Sequence, residues 1–472
     1  MSEAIVVGAG PNGLSAAAWL AKEGVGVTLI EAAPTVGGGT RSSELTLPGV
    51  IHDDCSATHP FSPHSPALTG LDLERHGLEW AWAEVDLAHP FDDGSVAAMY
   101  RSIEATAAGL GPAGAAWKRI FGSASEHFDA ISEDTMRPLA HLPRHPLRFG
   151  LFGLRALAPV SALARALPTQ EVRALFGGTA AHSFSPFGRL LGSAAGLALT
   201  CACHSNGWPV ARGGSQAIAD ALAAAVQEHG GRIETGRPVR SLAELPAADA
   251  VLFDLAPGAV AEIAGDRLPP RVARAYRRFK HGPAAFKVDL AVGGGVPWRV
   301  EISARAGNVH AIGSFAEIAE SEREVHAGRM PERPFVLVGQ QYLADPSRSH
   351  GDLHPIWTYA HVPSGYDGDA TEALIDQVER FAPGLRERIV ARHVRSPAEL
   401  ASYNPNYVGG DILTGANTPL QSFFRPRVAL DPYATGIPGV YICSAATPPG
   451  AGAHGMNGYN AAKSVLRALG RQ

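Results

Sequence analysis

Apolar runs and glycines alternate in a regular order over the first 41 residues of the chain. Residues 4–7 form a continuous apolar run, which is typical of a buried parallel strand. Three glycines follow with G-x-G-x-x-G spacing, namely Gly8, Gly10 and Gly13. An alanine-rich helix at 14–23 and a second strand at 25–30 are predicted next, and Glu31 ends that strand. This order predicts a strand–turn–helix–strand unit that binds a dinucleotide.

The glycines and Glu31 have separate roles in such a unit. The first glycine allows a tight turn, the second lets the backbone approach a pyrophosphate, and the third lets the helix pack closely on the strand. The helix N-terminus then directs its free N–H groups and its positive dipole end towards a diphosphate. The carboxylate of Glu31 can accept both hydroxyls of an adenosine ribose and would repel a 2′-phosphate.

Three segments of the chain are expected to build one discontinuous domain around this unit. The first is 1–70. The second, 205–280, contains an amphipathic helix and the buried strand ADAVLFDL. The third, 405–472, contains a strand and a closing helix. Together they predict a Rossmann-like dinucleotide-binding domain.

The two insertions between these segments predict a second domain. Residues 71–204 are helix-prone, with proline-interrupted amphipathic pieces, whereas residues 281–404 contain strand candidates at 285–292 and 334–343. We expect them to form an α+β substrate-binding domain, in which a mixed sheet is covered by helices that include a lid. The overall fold class is therefore α/β.

Composition excludes several classes of protein. The chain has 472 residues, of which 46% are hydrophobic and 18% charged, and its net charge is −5. This balance gives no reason to expect nucleic-acid binding. The sequence also contains no run of about twenty apolar residues, which a membrane-spanning helix would need. Met1 lies three residues before the first strand, so we expect no signal or transit peptide. Four cysteines do not make a disulfide framework, and a cytoplasmic location is expected.

A second glycine cluster distinguishes between the dinucleotides. Residues 36–43 read VGGGTRSS and include Gly38, Thr40 and Arg41. A simple nicotinamide dehydrogenase has no need of further glycines just after the ribose-binding acid. A flavin enzyme does, because its backbone must pass the diphosphate and ribityl chain a second time. The cluster therefore favours FAD over NAD.

The sequence resembles the large FAD-binding family that includes phytoene desaturases, carotenoid isomerases and amine oxidases. At the start of the chain, the likeness rests on the glycine turn, Glu31, Gly37, Gly38 and Arg41; at the end, it rests on YICSAATPPGAGAHGMNGYNAA (441–462). The branch it resembles most is that of the phytoene dehydrogenase-related flavoproteins, also called pyridine nucleotide-disulphide oxidoreductase domain proteins. GPAAFKVDLAV and YNPNYVGGD are similar to that branch as well.

The resemblance implies further FAD-binding residues. Arg41 would face the diphosphate, and Val239, expected in the strand after the 215–229 helix, would contact the adenine through its backbone. Ser444 and Ala445 would approach the diphosphate and the ribityl chain. The last helix would begin beneath the flavin, where its N–H groups can stabilise negative charge on the reduced ring. Its first residues are Gly455, Met456 and Asn457.

The chain lacks the C-x-x-C pair that a disulphide-oxidoreductase name implies. Its nearest cluster is Cys201, Cys203 and His204, and a metal site there would need a fourth ligand that the sequence does not supply. We expect buried thiols and no metal. The further G-x-G-x-x-G spacings, at 109–114 and 450–455, do not directly follow an apolar strand, so we expect no separate NADPH domain.

Two residues are candidates for catalysis. Lys287 lies in the apolar strand AFKVDLAV. If it points inward, a water between it and flavin N5 could assist reoxidation, as in related amine oxidases; the alternative is a lysine on the solvent face of an edge strand. His454 directly precedes the last helix, where it could relay a proton, contact the substrate, or only bond its own backbone.

Other polar residues are candidates for positions near the flavin or the substrate cavity. For the adjacent Asp53 and Asp54, general-base catalysis and turn capping both agree with the sequence. The remaining candidates are His52, His59, His182 and Tyr407.

Residues 147–167 have two interpretations. Arginines at 148, 155 and 165 are spaced among leucines and phenylalanines, which suits an interfacial helix that takes a lipophilic substrate from a membrane. Pro159 interrupts the segment, and the alternative is a helical lid over the substrate cavity.

The leading functional hypothesis is an FAD-dependent oxidoreductase of the desaturase type, in which a hydride leaves a lipophilic or polyene-like substrate for the flavin. The alternatives are a flavin-dependent isomerase without net redox change, a flavoprotein that only binds a partner or lipid, and an amine oxidase. An amine oxidase would need aromatic residues facing the flavin, and only 7% of the chain is aromatic. The electron acceptor could be oxygen or a quinone.

Overall fold

Five parallel strands form the first β-sheet, and the glycine-rich start of the chain lies at its centre. The computed structural model describes residues 2–471. Across the sheet, the strands are Val440–Ile442, Ala250–Phe253, Glu3–Val7, Gly26–Ile30 and Arg232–Glu234. Ala4 and Val6 pack on one face of the sheet, whereas Ile5 and Val7 pack on the other. Because both faces are buried, these strands have continuous apolar runs instead of alternating apolar and polar residues.

Helices cover both faces of this parallel sheet. Pro11–Lys22, Gln216–Glu228 and Met456–Ala468 contribute to the apolar cluster on one face, and Pro257–Ala264 and Pro270–Arg277 contribute to the cluster on the other. The first helix begins with Pro11, whose fixed φ suits the first helical position. The result is the doubly wound arrangement that the sequence predicts.

Seven strands form the second sheet, which is mixed. Across the sheet they are Ile389–Arg395, Ala284–Gly293, Leu353–Val362, Val336–Gly339, Ala306–Ala311, Val85–Pro90 and Val96–Met99. Ala306–Ala311 and Val85–Pro90 run parallel, and the other neighbours are antiparallel. Two short antiparallel pairs lie outside both sheets, Ser42–Ser43 with His52–Asp53 and Trp80–Ala81 with Val210–Ala211.

Helices also cover the mixed sheet. One face carries an apolar cluster shared with the helices Gly114–Glu126, Phe128–Thr135, Pro146–Leu157, Val160–Ala164, Gln170–Ala181, Ser193–Asn206 and Phe315–His326. The opposite face packs against Thr371–Glu379 and Leu385–Arg388. Shorter helices lie at Pro66–Thr69, Ile103–Gly109, Glu301–Ala304, Pro397–Tyr403 and Pro419–Phe423. Within residues 2–471, no helix is both long enough and apolar enough to cross a membrane.

The structure confirms the predicted fold class and corrects two local predictions. The segment 147–167 is interrupted at Pro159, as expected from the sequence, and forms the helices Pro146–Leu157 and Val160–Ala164. The strand expected at 334–343 is shorter, Val336–Gly339. Val239 is not in a strand, since the edge strand after the 216–228 helix ends at Glu234.

Candidate functional site

The candidate site lies where the strands of the parallel sheet end. Gly8, Glu31 and Asp254 directly follow three neighbouring strands, and Ser444 lies two residues beyond a fourth. All strands run in the same direction, so these residues meet at the carboxyl edge of the sheet. This edge is where doubly wound sheets bind their ligands.

The glycine turn leaves no room for side chains at its three glycines. Gly8 has φ +101°, a conformation that favours glycine. A Cβ at Gly10 would lie 2.6 Å from Oδ2 of Asp254, and a Cβ at Gly13 would lie 1.9 Å from the carbonyl oxygen of Gly8. Strand, turn and helix are therefore in direct backbone contact, which brings the helix N-terminus to the sheet edge.

The second glycine cluster packs on the first. The N–H of Gly37 donates to the carbonyl oxygen of Ala9 over 2.8 Å. A Cβ at Gly38 would lie 2.9 Å from the Cα of Gly10. The hydroxyl of Thr40 donates to the carbonyl oxygen of Gly37 over 2.8 Å and so holds the cluster in shape. The two glycine clusters thus form one continuous backbone surface.

Glu31 and Arg41 meet beside this surface. The carboxylate of Glu31 accepts the N–H groups of Ala9 (2.6 Å) and Ala33 (2.8 Å), which fixes its orientation. Arg41 lies 3.6 Å from Glu31 and donates to the carbonyl oxygen of Thr35 over 2.8 Å. The predicted ribose-binding acid and the predicted diphosphate-facing base therefore lie side by side.

The last helix begins next to the first helix. Gly455 has φ +68°, and a Cβ at Gly458 would lie 1.9 Å from the carbonyl oxygen of Asn12. The side-chain amide of Asn457 donates to the carbonyl oxygen of Thr447 over 2.8 Å. The N–H of Thr447 in turn donates to the carbonyl oxygen of Ser444, also over 2.8 Å. These bonds join the loop after the last strand to the helix start that includes Met456.

Three buried polar atoms at this junction have no hydrogen-bond partner among residues 2–471. They are Oδ1 of Asn12, Oγ of Ser15 and Oδ1 of Asn457. A buried polar group without a partner is costly in a folded protein. All three lie near the N-termini of two helices, whose positive ends suit a diphosphate. The Ser15 hydroxyl can donate to a phosphate oxygen, and the two amide oxygens can accept from hydroxyl or N–H groups elsewhere in a dinucleotide. The residues present therefore fit a dinucleotide, and Ala445 lies in the loop that closes this side.

Asp254 is a site residue that sequence reasoning missed. Its Oδ2 accepts the N–H of Gly13 over 2.9 Å, so this carboxyl caps the first helix from a neighbouring strand. Burial, with a smaller contribution from the charge of Glu31, raises the pKa of Asp254 to about 7. The available signal was an aspartate at the end of the apolar run AVLFD.

Lys287 points inward, as the functional interpretation required. Its side chain is buried and pairs with Asp289, two residues along the same strand. The Lys287 ammonium lies 5.8 Å from the centroid of the Trp357 ring, and Tyr359 is its cross-strand partner. Burial raises the pKa of Asp289 to about 6, although the charge of Lys287 opposes this shift.

His52 lies on the other side of Asp289. Its Nδ1 is 3.6 Å from a carboxylate oxygen of Asp289, and its Nε2 shares a hydrogen bond of 2.8 Å with the hydroxyl of Thr46. Burial and the charge of Lys287 lower the pKa of His52 to about 3. His52 is therefore neutral at neutral pH and completes the polar lining of this part of the mixed sheet.

Asp53 and Asp54 bind other parts of the chain instead of capping a turn. Asp53 accepts the N–H of Ser215 (2.7 Å) and pairs with the fully buried Arg348 at 2.5 Å. Burial opposes the ionisation of Asp53, but these two contacts outweigh it and lower its pKa. Asp54 lies 3.6 Å from Arg395. The sequence suggested a general base or a turn cap for Asp53 and Asp54, and it did not indicate these long-range ion pairs.

The remaining histidine and tyrosine candidates are buried in separate contacts. Nδ1 of His454 accepts the N–H of Met456 over 3.1 Å, and burial lowers the pKa of His454 to about 4, so it is a neutral acceptor at the start of the last helix. His59 bonds the Ser215 hydroxyl over 2.8 Å, and His182 lies 3.1 Å from His310. The hydroxyl of Tyr407 lies against Gly39.

The cysteine cluster has the structure of a packed core. Cys201 and Cys203 are buried, and burial raises the pKa of both thiols. Both ring nitrogens of His204 have partners, since Nδ1 bonds the carbonyl oxygen of Tyr100 (2.9 Å) and Nε2 accepts from Trp117 (2.9 Å). Over residues 2–471, no group of three or more histidine, cysteine or acidic side chains is arranged to hold a metal ion.

Comparison with known protein families identifies the glycine-rich segment. Residues 6–71 match the family described as NAD(P)-binding Rossmann-like domain. Over the whole length, the chain is similar to pyridine nucleotide-disulfide oxidoreductase domain-containing protein 2 of Rattus norvegicus. The two are 22% identical over 563 residues, which cover 99% of this chain and 94% of that protein.

Solved structures share the two-sheet architecture. An oxidoreductase from Methanosarcina mazei aligns with a TM-score of 0.63 at 14% identity, covering 98% of this chain and 100% of the other. Putrescine oxidase bound to putrescine aligns with a TM-score of 0.62 at 18% identity, covering 100% and 99%. These similarities establish the fold, and the family match places a dinucleotide-binding Rossmann-like segment at its start.

Proposed function

We propose that this protein is an FAD-dependent oxidoreductase that removes a hydride from a lipophilic, polyene-like substrate. The observation that carries the proposal is the junction of the two glycine clusters with the first and last helices. There, Asn12, Ser15 and Asn457 hold buried polar atoms without partners at a helix-lined edge.

The proposed roles of the binding residues follow from their positions. The first helix directs the positive end of its dipole towards the diphosphate, and Glu31, fixed by Ala9 and Ala33, supplies oxygens for the adenosine ribose. The last helix, starting at Met456, directs its positive end towards the ring system. When bound, FAD would supply a ring that takes up a hydride and later passes the electrons to oxygen or a quinone.

Lys287 is proposed to act on the substrate side of the ring. Asp289 holds the ammonium inside the protein, next to the aromatic rings of Trp357 and Tyr359. A cation held there can orient a water or retain a proton during reoxidation. His454 is proposed to position the start of the last helix, since its Nδ1 is already bonded to the backbone of Met456.

A lipophilic substrate agrees with the character of the region between the mixed sheet and its helices. An apolar cluster there includes Phe121, Phe176, Phe184, Phe335 and Trp357, and the histidines His182, His310 and His361 lie against its aromatic rings. A long apolar molecule could replace contacts between such side chains at little cost in polar desolvation. This character supports the substrate class and leaves the individual compound open.

Anaerobic titration of the purified protein tests the proposal. A polyene or other lipophilic hydride donor should bleach the visible flavin absorption, with formation of a new double bond in the product. Conversion that occurs only after prior reduction, without net bleaching, would identify an isomerase instead. Failure of every lipophilic donor to bleach a flavin-loaded protein would contradict the proposed substrate class.

An amine oxidase is the second candidate, and aromatic residues beside Lys287 favour it. The rings of Trp357 and Tyr359 meet edge to face with their centroids 5.1 Å apart, and Phe184 stacks on Tyr359 at 6.0 Å. The fold is also shared with putrescine oxidase. Bleaching by primary amines, with release of hydrogen peroxide in air, would support this candidate over the first.

A further inference from the structure

Helix Pro146–Leu157 exposes a continuous row of leucines. Leu147 is 82% exposed, Leu151 62% and Leu154 69%, and Leu157 is exposed as well. At 3.6 residues per turn, these four positions lie within an arc of about 120° on one face of the helix. Two further exposed leucines lie near this helix. Leu142 precedes its first residue by four positions, and Leu190 is next to Leu191, whose N–H donates to the carbonyl oxygen of Leu157. We call these six residues the leucine patch.

The opposite face of the same helix is anchored in the protein. Phe152 and Ala156 are buried in the apolar cluster that also contains Phe176 and Trp357. The guanidinium of Arg155 donates to the carbonyl oxygen of Ile120 over 2.8 Å. The helix is therefore held in place with its leucines outward, and a contiguous apolar face on a protein surface is typical of an interaction site.

The segment that carries the helix of the leucine patch is basic. Residues 137–170 contain five arginines and no aspartate or glutamate, in a chain whose net charge is −5. Arg144 pairs with Glu133 at 3.1 Å, but Arg148 and Arg165 form no ion pair within residues 2–471. A helix with an apolar face and basic flanks fits the boundary of an anionic bilayer, where leucines enter the acyl region and arginines reach phosphates.

We propose that the leucine patch docks the protein on an anionic lipid bilayer. A second copy of the chain is a less suitable occupant, because a symmetric contact would bring two arginine-rich segments of the same sign together. The bilayer would be the source of a lipophilic substrate, and Phe152 and Ala156 would connect the docked helix to the apolar cluster of the substrate region. The docking itself requires neither FAD nor turnover.

Vesicle binding of the full-length protein tests this proposal. Wild-type protein should co-sediment with vesicles of phosphatidylcholine and phosphatidylglycerol, bind more weakly to phosphatidylcholine alone, and dissociate partly as salt is raised. The triple variant Leu147→Ser, Leu151→Ser, Leu154→Ser should lose at least about tenfold in affinity for the mixed vesicles. Arg148→Gln with Arg165→Gln should reduce the preference for the anionic lipid.

A matched control uses exposed apolar residues elsewhere. Leu420, Val428 and Leu430 are 66%, 67% and 105% exposed, and their replacement by serine should leave vesicle binding unchanged. Equal binding by the leucine-patch variant and the wild type would overturn the proposal, as would a wild type that binds no vesicle. A concentration-dependent dimer that the leucine-patch variant abolishes, without vesicle binding, would assign the patch to self-association instead.

Discussion

Replacing Asp254 with asparagine is expected to stabilise the protein above neutral pH. The Asp254 carboxyl is buried and accepts the N–H of Gly13 over 2.9 Å. An asparagine oxygen can accept the same hydrogen bond without carrying a charge. The substitution therefore keeps the contact that caps the first helix and removes only the ionisation of the side chain.

The magnitude follows from the shift in pKa. The folded protein raises the pKa of Asp254 from 3.8 to about 7, mainly through burial. As pH rises, the carboxyl loses its proton in the unfolded chain before it does so in the folded protein. The free energy of unfolding therefore decreases between the two pKa values, by about 1.4 kcal/mol for each pKa unit of difference. Above pH 7 the accumulated loss is at most about 4 kcal/mol, and Asp254→Asn should recover it. Below the lower pKa, both proteins should be equally stable.

Urea or thermal unfolding across pH, followed by circular dichroism at matched flavin occupancy, measures this difference. Asp249→Asn is the matched control, because its exposed carboxyl accepts the N–H of Glu3 at the other end of the same strand pair. The control should show no gain that grows with pH. Equal stability of Asp254→Asn and wild type at about pH 8 would show that the folded protein does not disfavour the ionised Asp254 carboxylate, which would contradict the prediction.

Three further predictions concern the glycine turn, Lys287 and the buried ion pair. Gly13→Ala should abolish FAD binding in a fluorescence titration, because its Cβ would lie 1.9 Å from the Gly8 oxygen, whereas Gly150→Ala, with open space around it, should bind normally. Lys287→Met should slow reoxidation by oxygen by about 100-fold in stopped-flow absorbance, and Lys280→Met should not; equal rates would remove Lys287 from the chemistry. Arg348→Met, which leaves Asp53 buried and unpaired, should cost about 3–5 kcal/mol in urea unfolding. Arg329→Gln at an exposed pair should cost under about 1 kcal/mol, and similar losses in both variants would contradict the importance of burial.

The parts of the site that the sequence predicts are those encoded locally. The contact between Gly13 and Gly8 is local, and the structure places each of Gly8, Gly10 and Gly13 where a Cβ would clash, although the clashes at Gly8 and Gly10 are with the distant Asp254. Continuous apolar runs reveal strands buried on both faces, so the parallel sheet could also be predicted. The contact between the two glycine clusters could be predicted as well, because in a flavin enzyme the backbone passes the diphosphate and ribityl chain twice.

The parts that could not be predicted depend on contacts between distant residues. Asp254 is 241 residues from Gly13, and Arg348 is 295 residues from Asp53. Hydrophobic periodicity reports whether a position is buried, but it carries no information about which charged partner meets it. Arg348 is one arginine among many, and only the packing of the mixed sheet against residues 42–53 singles it out. The end of the edge strand also depends on a distant partner: Arg232–Glu234 pairs with Thr28–Ile30, and Val239 lies beyond the last paired residue.

Identification of the bound cofactor tests the central claim most directly. Protein purified without added nucleotide is denatured with acid, and the released compound is identified and quantified by chromatography against FAD, FMN and NAD standards. We expect FAD, close to one per chain, because the two glycine clusters and the start of the last helix form a single dinucleotide site. Release of NAD instead, or failure of the protein to retain or take up FAD, would contradict the claim.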